Sequence, residues 1–287
     1  MTMVDNCPRL LDLAEISALY AQLTGVLAGF AFTALVVLLT PTQVDERRSR
    51  RSRDNGLLLA LFAAFVALVI ASLRYSISAG ETATESLGRA ATLELINGLP
   101  FGLAAMMLFQ GITLLFESGN AQSSAVWVAR GLAVVVAPTL TLYYIANGAS
   151  DTETARAAEA GTCLVAPVPL LGVTLTWIIA AMLSASLVPR LQPLVLRRWA
   201  RKVQPGIPIA VIVASVAAAL LGGDMGTRAP NFILSSAGIS WYLSGTFTLL
   251  LMLGLTFAWG HGEGTVATQA LQRVDDQQEE EATEGAR

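Results

Sequence analysis

The chain has 287 residues, of which 54% are hydrophobic and only 14% are charged. A soluble domain carries about 25% charged residues, so this composition excludes an ordinary water-soluble protein. The formal net charge of −3 says little about partners, because the two signs are segregated along the chain. We predict an all-α integral membrane protein, with a seven-helix transmembrane domain over residues 1–259 and an acidic, disordered cytoplasmic tail over residues 260–287.

The first predicted span is 19–40, which holds no charge and is long enough to cross a ~30 Å hydrocarbon core. The acidic segment before it lacks the basic region of a cleavable signal peptide, so we expect this span to stay in the mature protein. Small residues recur at every fourth position of the span: Ala21, Gly25, Gly29 and Thr33. A helix presents them as one smooth face, and we expect a homo-oligomer to form through Gly25 and Gly29.

Two short basic segments, 41–55 and 190–206, set the predicted orientation. Arginine-rich loops of this length belong on the cytoplasmic side, so the N-terminus is expected outside and the C-terminus inside. The basic residues are almost all arginine, a bias typical of bacterial genomes of high GC content, and we predict a multi-pass protein of the bacterial plasma membrane. The expected spans are 19–40, 56–79, 90–116, 126–146, 168–188, 207–222 and 232–259.

Prolines leave two of the spans open to interpretation. The third span is either one long helix over 90–116 kinked at Pro100, which we favour, or a surface segment followed by a helix that begins at Pro100. Pro138 predicts a kink in the fourth span, because proline frees the carbonyl four residues earlier. The following outer loop, 147–167, contains Ser150-x-x-Glu153, a capping-box pattern that predicts a short helical turn there.

The second basic segment predicts an amphipathic helix that lies in the membrane interface. Val195, Trp199 and Val203 fall on one helical face and the basic residues on the other. Such a helix buries its apolar face in the inner leaflet and is attracted to anionic lipid. The residues expected to contact lipid headgroups are Arg197, Arg198, Arg201 and Lys202.

Polar residues near the outer ends of the spans form the candidate functional site, because ionisable groups inside spans are costly and mark functional sites. Its members are Glu15, Gln22, Arg74, Glu94, Asn97, Asn147, Ser240 and Ser244. Arg74 and Glu94 either pair across the second outer loop or lie separately at the interface, where Arg74 snorkels and Glu94 meets water. The two serines belong to a hydroxyl stripe that either lines a solute path or bonds to its own helix backbone.

Cys7 and Cys163 are both expected outside, where they either form one disulfide or remain two free thiols. The single histidine, His261, lies in the tail, and no span contains lysine. These absences exclude bis-histidine haem ligation, a Ser–His protease and a retinal Schiff base. We expect no cofactor, metal or nucleic acid, and predict a non-enzymatic protein: a small-solute transporter or permease-like subunit. The alternative is a structural or regulatory subunit that binds lipid or a cytoplasmic partner.

Overall fold

The computed structural model describes residues 13–40, 51–80, 87–119, 122–162, 164–188, 194–228 and 232–260. Within these ranges the protein is helical and contains no β-strand. A π-helical turn over Leu132–Val136 joins α4 to α5, and a 3-10 turn over Gln204–Gly206 joins α7 to α8. The helices are α1 (Leu13–Leu39), α2 (Arg51–Gly80), α3 (Leu87–Ser118), α4 (Ser123–Gly131), α5 (Ala137–Glu159), α6 (Leu170–Ser186), α7 (Leu194–Val203), α8 (Ile207–Arg228) and α9 (Ser236–Gly260).

Six helical stretches in the described part are long and apolar enough to cross a membrane, which is compatible with a multi-pass membrane protein. They are Leu13–Leu39, Asn55–Gly80, Gly88–Ser118, Ser123–Glu159, Arg198–Asp224 and Ser236–Gly260. The predicted all-α fold is confirmed. Helix α6 is apolar but has only 17 residues, about 25 Å of helix, so a seventh span there stays a prediction.

Helix α3 lies in the middle of the bundle, where it contacts α2, α5 and α8. Glycines bring its backbone close to α5. A Cβ on Gly102 would lie 1.9 Å from Thr141 Cγ2, and one on Gly148 would lie 3.3 Å from Leu95 Cα. Small residues allow such close packing between helices that cross a membrane. Residues Leu87–Ser118 form one helix with Pro100 inside it, as we favoured from the sequence.

Helix α1 packs against α2 at the edge of the bundle. Its buried face is formed by Leu13, Ser17, Thr24, Ala28, Ala31 and Leu35. Part of the predicted stripe borders α2 as well: Ser72 Oγ of α2 donates to the Ala21 carbonyl at 3.0 Å, and a Cβ on Gly25 would lie 3.6 Å from the same oxygen. Gly25 and Gly29 are nevertheless exposed, and no atom lies within 4 Å of a Cβ built on Gly29, so an oligomer through the two glycines stays a prediction.

The prediction of an outer loop over 147–167 is wrong for residues 147–159, because helix α5 continues to Glu159. The proposed capping box does not form either. Ser150 Oγ donates to the carbonyl of Ala166, and Glu153 pairs with Arg156 one turn later. The threonine hydroxyls of this turn bond to carbonyls of their own helix, which lets a polar sequence remain helical.

The predicted irregularity at Pro138 takes the form of the π-helical turn directly before it. Proline cannot donate a backbone hydrogen bond to the residue four positions earlier, here Val134. Gly254 of α9 lies beside this carbonyl: a Cβ on it would be 3.3 Å from Val134 O. A local π turn is a common way to accommodate such a break without ending the helix.

Several predictions fall on residues outside the described ranges. These are the disulfide between Cys7 and Cys163, most of the first arginine-rich segment, and the tail beyond residue 260. The side chain of Arg197 is also outside the described part, although its backbone belongs to α7.

Candidate buried polar site

Glu94 is buried near the beginning of α3, with 4% of its surface exposed. Its Oε2 atom has no hydrogen-bond partner among the described residues. Helix α5 packs against this turn of α3, since a Cβ on Gly98 would lie 3.0 Å from the Tyr144 ring, and the half-buried Asp151 carboxyl, two turns further along α5, acts on Glu94 electrostatically. Polar groups of two helices therefore lie near one another inside the bundle, an arrangement that suits the binding of a small polar solute or an ion.

Four aromatic rings from α1, α2, α3 and α5 pack beside this carboxyl group. The Tyr20 ring lies 4.9 Å from the Tyr144 ring and 5.4 Å from the Tyr75 ring, measured between centroids. Phe101 contacts all three tyrosines at 6.3 to 6.5 Å. The Tyr75 and Tyr144 hydroxyl oxygens are 3.3 Å apart, so they form a hydrogen bond in which either is the donor. The ring contacts and the Tyr75–Tyr144 bond connect α5 to α1, α2 and α3.

Arg74 of α2 approaches the same turn of α3. Its Nε atom donates to Asn97 Oδ1 at 3.4 Å, a contact that neither interpretation of the sequence included. Arg74, Asn97 and Glu94 are 9%, 3% and 4% exposed, so all three side chains are buried in the bundle, and a pairing of Arg74 with Glu94 stays a prediction. The guanidinium group fits because residue 222 of α8 is glycine: a Cβ there would lie 1.8 Å from Arg74 Nη2.

The other predicted members do not join this group. Glu15 and Gln22 are exposed on α1. Asn147 donates to the carbonyl of Tyr143 in its own helix at 3.0 Å. Ser240 and Ser244 bond to carbonyls four residues earlier at 3.0 and 2.8 Å, on a side of α9 that is largely exposed. The serine stripe therefore satisfies its own helix backbone, which was one of its two interpretations.

The sequence analysis missed Tyr20, Tyr75, Tyr144 and Asp151 as members of the site. Asp151 was assigned to the outer loop 147–167, and none of the tyrosines was singled out. A usable signal was present, since Tyr144 and Asp151 are seven residues apart and lie on one helical face if α5 continues. Recognising it required the knowledge that the helix extends to Glu159.

The segment before α9, residues 232–235, is hydrogen-bonded to α5 and α3 near this site. Arg156 of α5 donates to Ser236 Oγ and to the carbonyl of Leu234. The Leu234 N–H in turn donates to Thr92 Oγ1 at 3.2 Å. Within α9, the Tyr242 hydroxyl donates one bifurcated hydrogen bond to the carbonyls of Leu95 and Ile96, the two residues that follow Glu94. These bonds tie α9 to the turns of α3 that carry the site.

Two open grooves lie on other parts of the bundle and have apolar linings. One, of about 480 Å³, lies between α3 and α4, and the other, of about 590 Å³, lies between α4 and α6. Neither contains a residue of the buried polar site. In the described ranges, no group of three His, Cys, Asp or Glu side chains is arranged to hold a metal ion.

Helix α7 presents the predicted basic surface. Arg198, Arg201 and Lys202 are exposed, and so are Trp199 and Val203, at 42% and 37%. Ala200 between them is fully buried, and the helix contacts α9.

Comparisons of the chain with protein-family models, with curated proteins and with solved structures found no match.

Proposed function

We propose that the chain is a membrane transporter of a small solute, or a permease-like subunit of one, and that the buried polar site around Glu94 binds the solute or a coupling ion. The observation that carries this proposal is the Glu94 carboxyl, buried between helices with an unpartnered oxygen and with Asp151 nearby. Ionisable groups inside a membrane are expensive, and they face the bundle interior where they serve ion or substrate pathways.

The proposed topology has seven spans, with the N-terminus outside and the C-terminus in the cytoplasm of a bacterium. Its support is the α6 helix, whose 17 residues match the lower limit for a transmembrane helix. A second support is the distribution of arginine: α2 begins with Arg51, and α7 carries its exposed basic residues, at the end of the bundle opposite Glu94. The positive-inside rule assigns that end to the cytoplasm.

Uptake into proteoliposomes tests the transport proposal. Purified protein is reconstituted, and radiolabelled amino acids, sugars, choline and putrescine are offered one at a time. We expect uptake of at least one of them by the wild type, and at least a tenfold loss with Glu94→Gln. The matched control is Glu15→Gln, which removes an exposed carboxyl of α1 and should leave uptake unchanged. Equal uptake by wild type and Glu94→Gln, or none above empty liposomes, would contradict the proposal.

A second candidate function rests on α7. Its exposed tryptophan and valine beside three exposed basic residues suit a structural subunit bound to anionic lipid. The test is the amount of phosphatidylglycerol that remains bound after purification in mild detergent. We expect Arg198→Gln/Arg201→Gln/Lys202→Gln to lose most of it, and the charge-preserving control Arg198→Lys/Arg201→Lys to retain it. Equal retention by both variants would argue against this candidate.

A further inference from the structure

We propose that the acidic segment of the tail, residues 275–284, binds the basic face of α7 in the same chain. The basic face is formed by Arg198, Arg201 and Lys202, which are all exposed. The contact is independent of the transport proposal and of the orientation of the chain in the membrane, because α7 and the last residues of α9 lie at the same end of the bundle. The tail and anionic lipid are then competitors for one surface.

The end of α9 places the beginning of the tail beside α7. Helix α9 ends at Gly260 and contacts α7. A Cβ on Gly260 would lie 2.9 Å from Cδ of Gln204, the residue that directly follows α7. Arg130 of α4 donates to the carbonyl of Ala258 and thereby holds this end of α9 in place. The tail therefore starts beside a residue that is only two positions from Lys202.

The basic face of α7 points away from the bundle. Ala200 is fully buried, and at ~100° per residue Arg198 and Lys202 lie about 160° from it around the helix axis. The exposed apolar residues Trp199 and Val203 lie between these two directions. When the apolar pair enters the membrane interface, the two basic side chains therefore face the aqueous side, where a soluble acidic segment can reach them.

The acidic segment complements this face in charge and lies within its reach. Six of the ten residues 275–284 are Asp or Glu, and none is Lys or Arg. The 14 residues 261–274 connect the segment to α9, and a chain of that length spans at most about 45 Å, further than the ~15 Å length of α7. Single exposed ion pairs are weak. The short connection compensates for this, because it keeps the acidic segment at an effective concentration on the order of millimolar.

Carbodiimide cross-linking tests the contact, because the reagent joins a carboxylate to an amine and Lys202 is the only lysine in the chain. The full chain is placed in phosphatidylcholine nanodiscs, one copy per disc, and cross-linked at low salt. Trypsin cleaves after Arg273, and mass spectrometry identifies the acidic peptide joined to Lys202. We expect this link, with a roughly fivefold lower yield in about 1 M NaCl, where exposed charges more than ~3 Å apart are largely screened.

Two variants separate binding to the basic face from chance encounters. Arg198→Gln/Arg201→Gln keeps the amine of Lys202 and should lower the yield several-fold at an unchanged melting temperature. Lys202→Gln/Thr162→Lys moves the lysine to an exposed position before α6 and should give no link to the acidic peptide. Adding phosphatidylglycerol should lower the wild-type yield, because its headgroups compete for the same charges. The proposal is overturned if phosphatidylcholine discs give no link, which would leave the face to lipid, or if either variant links as well as the wild type. An unchanged yield with phosphatidylglycerol would contradict the competition with lipid.

Discussion

At the scale of single residues, the arginine of α2 contacts a residue that neither interpretation of the sequence paired with it. Arg74 and Glu94 carry opposite charges at adjoining helix ends, so a direct pair was one expectation and two separate interfacial charges were the other. In the structure Arg74 Nε bonds to Asn97, one turn further along α3. Both side chains are buried, so this contact is made away from competing water and contributes to stability.

A double-mutant cycle measures this contact. Arg74→Ala and Asn97→Ala should each lower the melting temperature in detergent, because each removes one side of a buried hydrogen bond. The double variant should lose less than the sum, with a coupling energy on the order of 1 kcal/mol. The comparison cycle is Arg74→Ala with Glu94→Ala, which should show the smaller coupling. Larger coupling to Glu94 than to Asn97 would mean that the guanidinium group prefers the carboxylate.

The sequence alone was sufficient to identify the members of the site that are rare in spans. Arg74, Glu94 and Asn97 stand out because charged and amide side chains are seldom placed in apolar helices. The tyrosines do not stand out, since tyrosine is common at both membrane interfaces. Their side chains point into the bundle because of the way four helices pack together, and no local pattern in one helix specifies that packing.

At the scale of elements, the contact between α3 and α5 depends on glycine. We expect Gly102→Ala to lower the free energy of unfolding by about 1–3 kcal/mol, because the new methyl group overlaps Thr141. Thr141 has little freedom to move, since its hydroxyl bonds to the Ala137 carbonyl at 2.7 Å. The measurement is chemical unfolding in mixed micelles, followed by circular dichroism.

Gly29→Ala is the matched control for that substitution. It places the same methyl group inside a helix, at a position with no atom within 4 Å. Its effect on unfolding should be neutral or slightly stabilising, because alanine favours helix more than glycine does. If both variants are equally stable, close packing at Gly102 does not hold the two helices together. A loss confined to Gly29→Ala would instead support a contact between copies through α1.

Hydropathy located the apolar helices well and failed where a helix continues beyond its apolar part. Residues 147–159 are rich in Ala, Thr and charged side chains, so they resemble a surface loop. They remain helical because Thr152 and Thr154 bond to carbonyls of their own helix and because the segment 164–169 packs back on them. That second cause is a tertiary contact, which a hydropathy average over a short stretch of sequence cannot detect.

At the scale of the whole molecule, α6 determines whether the two termini lie on one side of the membrane or on opposite sides. Single cysteines are placed in a variant in which Cys7 and Cys163 are serine, and intact cells are treated with an impermeant thiol reagent. We expect labelling at Thr162, which is exposed and precedes α6, and none at Ser49 or at Gly206. Labelling of Gly206 together with Thr162 would mean that α6 does not cross the membrane. Labelling of Ser49 alone would reverse the orientation.

The π-helical turn over Leu132–Val136 also makes this point of the chain tolerant of a change in length. A π turn holds one residue more than the α-helical turn it replaces, so removing one residue there lets the α-helical bonding pattern close. Elsewhere in an α-helix, one residue fewer rotates everything beyond it by about 100°. Deletion of Val135 should therefore leave Tyr144 and Asp151 directed at α3 and the protein foldable. Deletion of Leu142, in the regular part of α5, should turn both away and prevent folding.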